Sequence, residues 1–224
     1  MAPDAIMIFA AGLGKRMGAL TKDRPKPMIP LAGRPMIDYA ITHAKEAGVK
    51  NLVANTHYHA DIIEPHLTSH GVTPHREDAL LETGGGLRAA RILLKSDPVF
   101  TMNPDGFWIG PNPVEFISKA WRSEMNALLL LVPMSRAHSV KPVGDFDFQN
   151  GKISRSGDFK YTGLQIIRTD RLHEIGEAHF SLNVYWDHIA SQKPLHGVVY
   201  EGEWCDIGTP EGLDDAEKRI ERDV

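Results

Sequence analysis

Apolar positions along the chain fall into short blocks separated by stretches of helical period. "AIMIFA" (5–10), "NLVANT" (51–56), "PVFTMN" (98–103) and "ALLLLVP" (127–133) are nearly continuous apolar runs bounded by turn residues. Strands covered on both faces have that composition. Between them, "PMIDYAITHAKEAG" (35–48) opens on Pro and closes on Gly, the start and stop signals of a helix. "HADIIEPHLTSHG" (59–71, interrupted by Pro65), "GGLRAARILLK" (85–95) and "NPVEFISKAWRSE" (112–124) complete the alternation. It predicts an α/β fold: a single-domain, three-layer α/β/α arrangement around a mostly parallel, mixed central sheet.

Beyond Pro133 the pattern loosens. "VGDFDFQNGKISRSGDF" reads as a hairpin about Asn150-Gly151, and "YTGLQIIRT" (161–169) as a strand. "SLNVYWDHIAS" reads as a helix, "LHGVVYEGEWCDIGT" as two short strands, and "PEGLDDAEKRIER" (210–222) as a closing helix with a solvated face. No repeat or linker divides 1–224, so one domain is expected, with 134–200 as an insertion and strands on the substrate side. At 224 residues and 42% hydrophobic the chain can bury a substantial core. A net charge of −4 supplies no global field for nucleic acid. Cys205 is the only cysteine, which points to a reducing compartment. No apolar run approaches the roughly 18 residues that span a bilayer, and no signal segment opens the chain, so a cytoplasmic protein without membrane partner is expected.

The first strand runs into "FAAGLGKRMGALTKDRPKP" (9–27). Glycines that expose backbone N–H groups beside Lys and Arg point to a phosphate. A dinucleotide fingerprint fails here, because Gly12 and Gly14 are followed by Met17 and because Pro25 and Pro27 break the helix it needs. The P-loop fails too, since no Gly-Lys-Ser/Thr closes the loop. What remains is an extended loop able to wrap a triphosphate, with Arg16 and Lys26 as charged partners. A solvated basic loop is the alternative.

"FAAGLGKRMGALTKDRPKPMIPLAGRPMIDYAI" resembles the sugar-1-phosphate nucleotidyltransferase signature, a glycine–arginine loop followed by Pro-Lys-Pro and Gly-x-Pro-Met-Ile. "LLETGGGLRAA" (80–90), "MNPDGFW" (102–108), "YTGLQI" (161–166) and "GEWCDIGTPEGL" (202–213) extend the likeness over nearly the whole chain. The "ETGGG" form and the short length look most like the branch that transfers uridylyl groups to N-acetylmuramate 1-phosphate in cell-wall recycling. The resemblance implies an enzyme with a nucleotidyltransferase Rossmann-like fold that joins an NTP, UTP first, to a sugar 1-phosphate, as a monomer or homodimer. Hexose-1-phosphate guanylyl- or thymidylyltransfer, or a non-catalytic nucleotide-sugar-binding regulator, are the alternatives.

Such transfer needs a divalent cation, Mg2+, held by hard oxygen ligands. By resemblance Asp105 and Asp206, which are distant in sequence, are the metal aspartates, although Pro104 departs from the small residue many relatives carry. Arg16 and Lys26 are implied as catalytic. Ala10, Ala11, Gly12, Gly14 and Lys15 are implied to contact nucleotide, with Glu77, Glu82 and Gly85 about the base. In that reading Glu77 accepts the uracil N3–H and Gly85 leaves room for base or sugar. Asn103, Asp145, Gly163 and Asn183 are the expected sugar contacts. The histidines at 57, 59, 66, 70 and 75 form no zinc motif and read as surface or capping groups.

Overall fold

Alternate residues of the first strand, β1 (Ala5–Phe9), go to opposite cores: Ile6 and Ile8 to one face, Ala5 and Met7 to the other, all fully buried. A strand with two apolar faces forms only where helices cover both. The computed structural model describes residues 2–223. After β1 come a short ribbon, β2 (Pro30–Leu31) and β3 (Arg34–Pro35), then α1 (Met36–Glu46), β4 (Asn51–Thr56), α2 (Ala60–Ser69), β5 (Thr73–Arg76), α3 (Glu82–Leu94) and β6 (Val99–Met102). The chain continues through β7 (Gly106–Ile109), α4 (Pro113–Ala120), β8 (Ala127–Pro133), β9 (Ala137–His138), β10 (Phe146–Gln149), β11 (Lys152–Arg155) and β12 (Phe159–Ile167). It ends with α5 (Leu182–Ala190), β13 (His196–Val199), β14 (Glu203–Asp206) and α6 (Pro210–Asp223).

Nine strands form the main sheet in the order β10-β11-β13-β8-β12-β6-β1-β4-β5. β5, β4, β1 and β6 run parallel, as do β13 and β8, while β12 lies antiparallel between β6 and β8. The sheet is thus mixed, and its three-layer packing follows the alternation in the sequence. On one side α1, α2 and α4 bury Ile37, Ile41, Ile63, Leu67, Val114 and Ile117. On the other, α3 and α5 bury Leu87, Leu94, Tyr185 and Ile189. α6 packs Leu213 and Ala216 on a third cluster, with Met17 and Ile207.

Local chemistry sets the boundaries. Asn112 accepts the N–H groups of Val114 and Glu115 at 3.0 and 3.2 Å and starts α4 with Pro113 behind it. α2 runs straight through Pro65, which is exposed, because wholly buried Ile63 and Leu67 anchor it on either side. α3 begins at Glu82, three residues before the expected start, and so takes all three glycines into its first turns. β5, "TPHR", has no apolar pattern to announce it; it is an edge strand, where a proline is tolerated. No helix among the described residues is long and apolar enough to cross a membrane.

Candidate active site

Parallel β1, β4 and β6 end at one edge of the sheet, and the segments leaving them form a common floor. In open α/β sheets ligands bind beyond these carboxyl ends. A cavity of about 480 Å³ opens there, lined by Gly12, Gly14, Lys26, Glu77, Thr83 and Asp105 among others. Gly12, Leu13 and Gly14 offer backbone N–H groups with no hydrogen-bond partner among the described residues. Gly14 sits at φ +63°, and a Cβ there would come within 2.9 Å of Lys26 Cβ. Only glycine lets the loop lie so close to that lysine. Ala10 differs from its neighbours, because its N–H is already given to Asn55 Oδ1 at 2.9 Å.

Lys26 is held between buried Pro25 and Pro27, with Nζ 2.5 Å from Asp105 Oδ2. Asp206 reaches the same place from β14, which pairs antiparallel with β7 so that Asp206 lies opposite Gly106. The Ile207 N–H donates to the Asp105 carbonyl at 2.8 Å and locks this register. Burial, and then the Asp105 carboxylate, hold the Asp206 carboxyl above its ordinary range, with Lys26 and Arg16 opposing. Two carboxylates facing one site beside a lysine are a donor set suited to a hard cation. Arg16 does not line the cavity; its guanidinium covers Gly208, where a Cβ would meet Nη1 at 2.6 Å. It therefore stands beside the Asp206 strand.

Other expected contacts turn out to be supports. Glu77 is buried and lines the cavity, but Oε1 accepts from Asn55 Nδ2 at 2.8 Å and Oε2 from the Leu81 N–H at 3.1 Å. Its carboxylate is an anchor for the loop rather than the free acceptor expected for a base. Gly85 leaves no room for base or sugar: a Cβ there would lie 2.5 Å from the Ala178 carbonyl, and its N–H donates to Phe180 O. Gly163, at φ +82°, is likewise behind the wall, where it accepts the Asn103 N–H at 3.0 Å and sets that side chain. Glu82 does line the cavity, exposed at the first position of α3.

A second cavity, of about 490 Å³, shares Phe9, Thr83 and Asn103 with the first and continues along Asp145, Asn183 and Trp186. Asp145 is tied to Lys160 at 2.8 Å and to the Tyr161 N–H at 3.0 Å. Asn55, Leu80 and Thr83 in the first cavity, and Arg155 and Tyr161 in the second, are lining residues that the sequence does not single out. Nothing local marks them; the fold brings them in. Of the histidines, His66 bonds Asp38 at 2.6 Å and stacks on His70, joining α2 to α1.

A profile of the MobA-like NTP transferase domain matches residues 6–146. The N-acetylmuramate alpha-1-phosphate uridylyltransferase of Caulobacter vibrioides is 33% identical over 236 residues, covering 98% of each chain. The enzyme of the same name from Neisseria meningitidis serogroup B is 28% identical over 91% of this chain and 92% of its own. HddC from Yersinia pseudotuberculosis, solved with GMP-PN, superposes with a TM-score of 0.77 at 20% identity, over 98% of this chain and 100% of that one, and so shares the fold. Free amides on a glycine loop beside a lysine and two paired aspartates are what a nucleotidyl transferase requires, and the chain belongs to the MobA-like NTP transferase domain family.

Proposed function

We propose that this chain joins UTP to N-acetylmuramate 1-phosphate, releasing pyrophosphate and forming the UDP-sugar, as a cytoplasmic step of cell-wall sugar recycling. The observation that carries the reading is the meeting of Asp105, Asp206 and Lys26 against the unpartnered amides of the glycine loop. Likeness over 98% of the chain to a uridylyltransferase for that sugar phosphate supports the choice of substrates.

An oxygen of the sugar phosphate attacks the α-phosphorus in line; the new O–P bond forms as the bond to the β-phosphate oxygen breaks, and pyrophosphate leaves with the electron pair. The attacking oxygen is already anionic at neutral pH, so no general base is needed. Rate comes from positioning and charge neutralisation. Amides of Gly12, Leu13 and Gly14 hold the phosphate chain. Lys26, released from Asp105, bridges the α-phosphate and the sugar phosphate, while Arg16, over Gly208 beside Asp206, adds positive charge to that side of the site. Asp105 and Asp206 would hold Mg2+, which when bound neutralises phosphate charge. The base lies by Leu80 and Glu82, and the sugar by Asn103, Asp145 and Asn183.

Pyrophosphate release across a panel of NTPs and sugar 1-phosphates, with Mg2+ and with chelator, tests the proposal. Release with UTP and N-acetylmuramate 1-phosphate, lost on chelation, is the expected result. Release only with GTP or dTTP and a neutral hexose 1-phosphate would overturn the substrates, and release with no pair would overturn the transferase reading.

A further inference from the structure

Among the described residues Arg155 is the one cation lining the second cavity, and its charge is not spent on a lining carboxylate. Asp145, the acid on that wall, has both oxygens engaged by Lys160 and the Tyr161 amide. The guanidinium lies over Phe146 and Trp186, with Cζ 5.2 and 5.3 Å from the ring centroids. Trp186 is itself fixed, since Nε1 donates to Gln165 Oε1 at 2.8 Å, and Gln165 Nε2 donates to Thr101 Oγ1 at 3.0 Å. A planar cation on a rigid aromatic floor is pre-oriented.

Its hydrogen bonds leave capacity. Nη1 donates to Asn183 Oδ1 at 2.8 Å, and Nη2 to Asp187 Oδ1 at 2.9 Å and, more weakly, to the Asn183 carbonyl at 3.4 Å. Of the five donors of a guanidinium, Nε–H and one Nη1–H are uncommitted among the described residues. The Asp187 carboxylate is 69% exposed, and a pair of that kind holds its partner weakly. We propose that the second cavity receives a carboxylate substituent of the sugar and that Arg155 is the residue that binds it. The inference rests on the reading that the chain acts on a sugar 1-phosphate. It assigns the substrate's acidic group to a place apart from the phosphates, across the Phe9, Thr83 and Asn103 wall that joins the cavities.

N-acetylmuramate 1-phosphate and N-acetylglucosamine 1-phosphate differ only by the carboxylate-bearing ether, so the pair isolates the contact. With UTP in excess, Arg155→Ala should raise KM for the first about 10- to 100-fold, the range for losing a hydrogen bond to a charged group, with kcat changed little. KM for the second should move less than about 3-fold, Arg155→Lys should recover part of the loss, and Asp187→Asn should leave both sugars near wild type. Calorimetric binding of each sugar phosphate to the same proteins gives a readout independent of turnover. Equal losses for the two sugars, or an Asp187→Asn effect as large as that of Arg155→Ala, would overturn the assignment and leave the transferase reading standing. Failure of the wild type to bind or turn over either sugar while it binds UTP would overturn both.

Discussion

Lys26 and Asp206 carry opposite burdens, and single substitutions separate them. Lys26→Ala removes the ammonium 2.5 Å from Asp105, and the rate should fall on the order of 10²- to 10³-fold, as for other groups that neutralise transition-state charge. Single-turnover pyrophosphate release checks this. Asp206→Asn should cost a similar factor yet raise the melting temperature of the metal-free protein. The sign follows from the direction of the shift: a carboxyl held above its unfolded value by burial and by Asp105 is disfavoured as an anion in the fold. At neutral pH an amide escapes that penalty, so Tm in the presence of chelator should increase. A lower Tm would mean that Lys26 and Arg16 more than compensate the charge. Both residues were legible in the sequence as types in a pattern, but it is the β7–β14 register that carries Asp206 to the side of Asp105, the partner of Lys26.

Between β4 and α3 a chain of contacts holds one wall of the first cavity: the Ala10 amide to Asn55, Asn55 to Glu77, and Glu77 to the Leu81 amide. Gly86 makes room for it, since a Cβ there would lie 2.6 Å from Glu77 Oε1 and 2.9 Å from Asn55 Nδ2. Gly86→Ala, ordinarily favourable inside a helix, should instead destabilise by about 1–3 kcal/mol as an overpacked site and raise KM for the nucleotide. Denaturant unfolding and nucleotide titration measure the two effects. This wall also shows where reading by pattern stopped. "ETGGG" announces a close approach, but whether the partner is a ligand or the chain itself depends on the 178–180 segment, nearly a hundred residues away. Gly85, expected beside base or sugar, faces the Ala178 carbonyl for that reason, and Gly163, expected at the sugar, faces the Asn103 side chain.

Across the molecule, stability should weaken in mild acid through half-buried histidines whose surroundings disfavour the charged form. His43 of α1 lies edge-on to Trp108, and its Nδ1 is buried without a partner. Burial lowers its pKa below the usual 6.5, and burial followed by Lys152 does the same for His196. A depressed histidine contributes stability that is full above about pH 6.5 and is lost as pH falls toward the folded-state value, because only the unfolded chain takes the proton readily. His43→Phe, which keeps a ring on Trp108, should therefore raise Tm more at pH 5 than at pH 7.5. An equal gain at both would assign the effect to packing alone.

Layer order, strand identity and the glycine loop could be taken from the chain because they depend on neighbours within a few residues: apolar period, a proline at a helix start, a glycine where φ is positive. Which strands beyond Pro133 run antiparallel, the edge strand at Thr73–Arg76 and the place of Asn55, Thr83, Arg155 and Tyr161 in the cavities could not. Those depend on which distant segments pair, and pairing energy is shared among many contacts that carry no local signature. Arg155 is unremarkable where it stands in sequence; it joins Asn183 and Trp186 in one surface only once β11 pairs with β10 and α5 packs Trp186 on Phe146 and Tyr161.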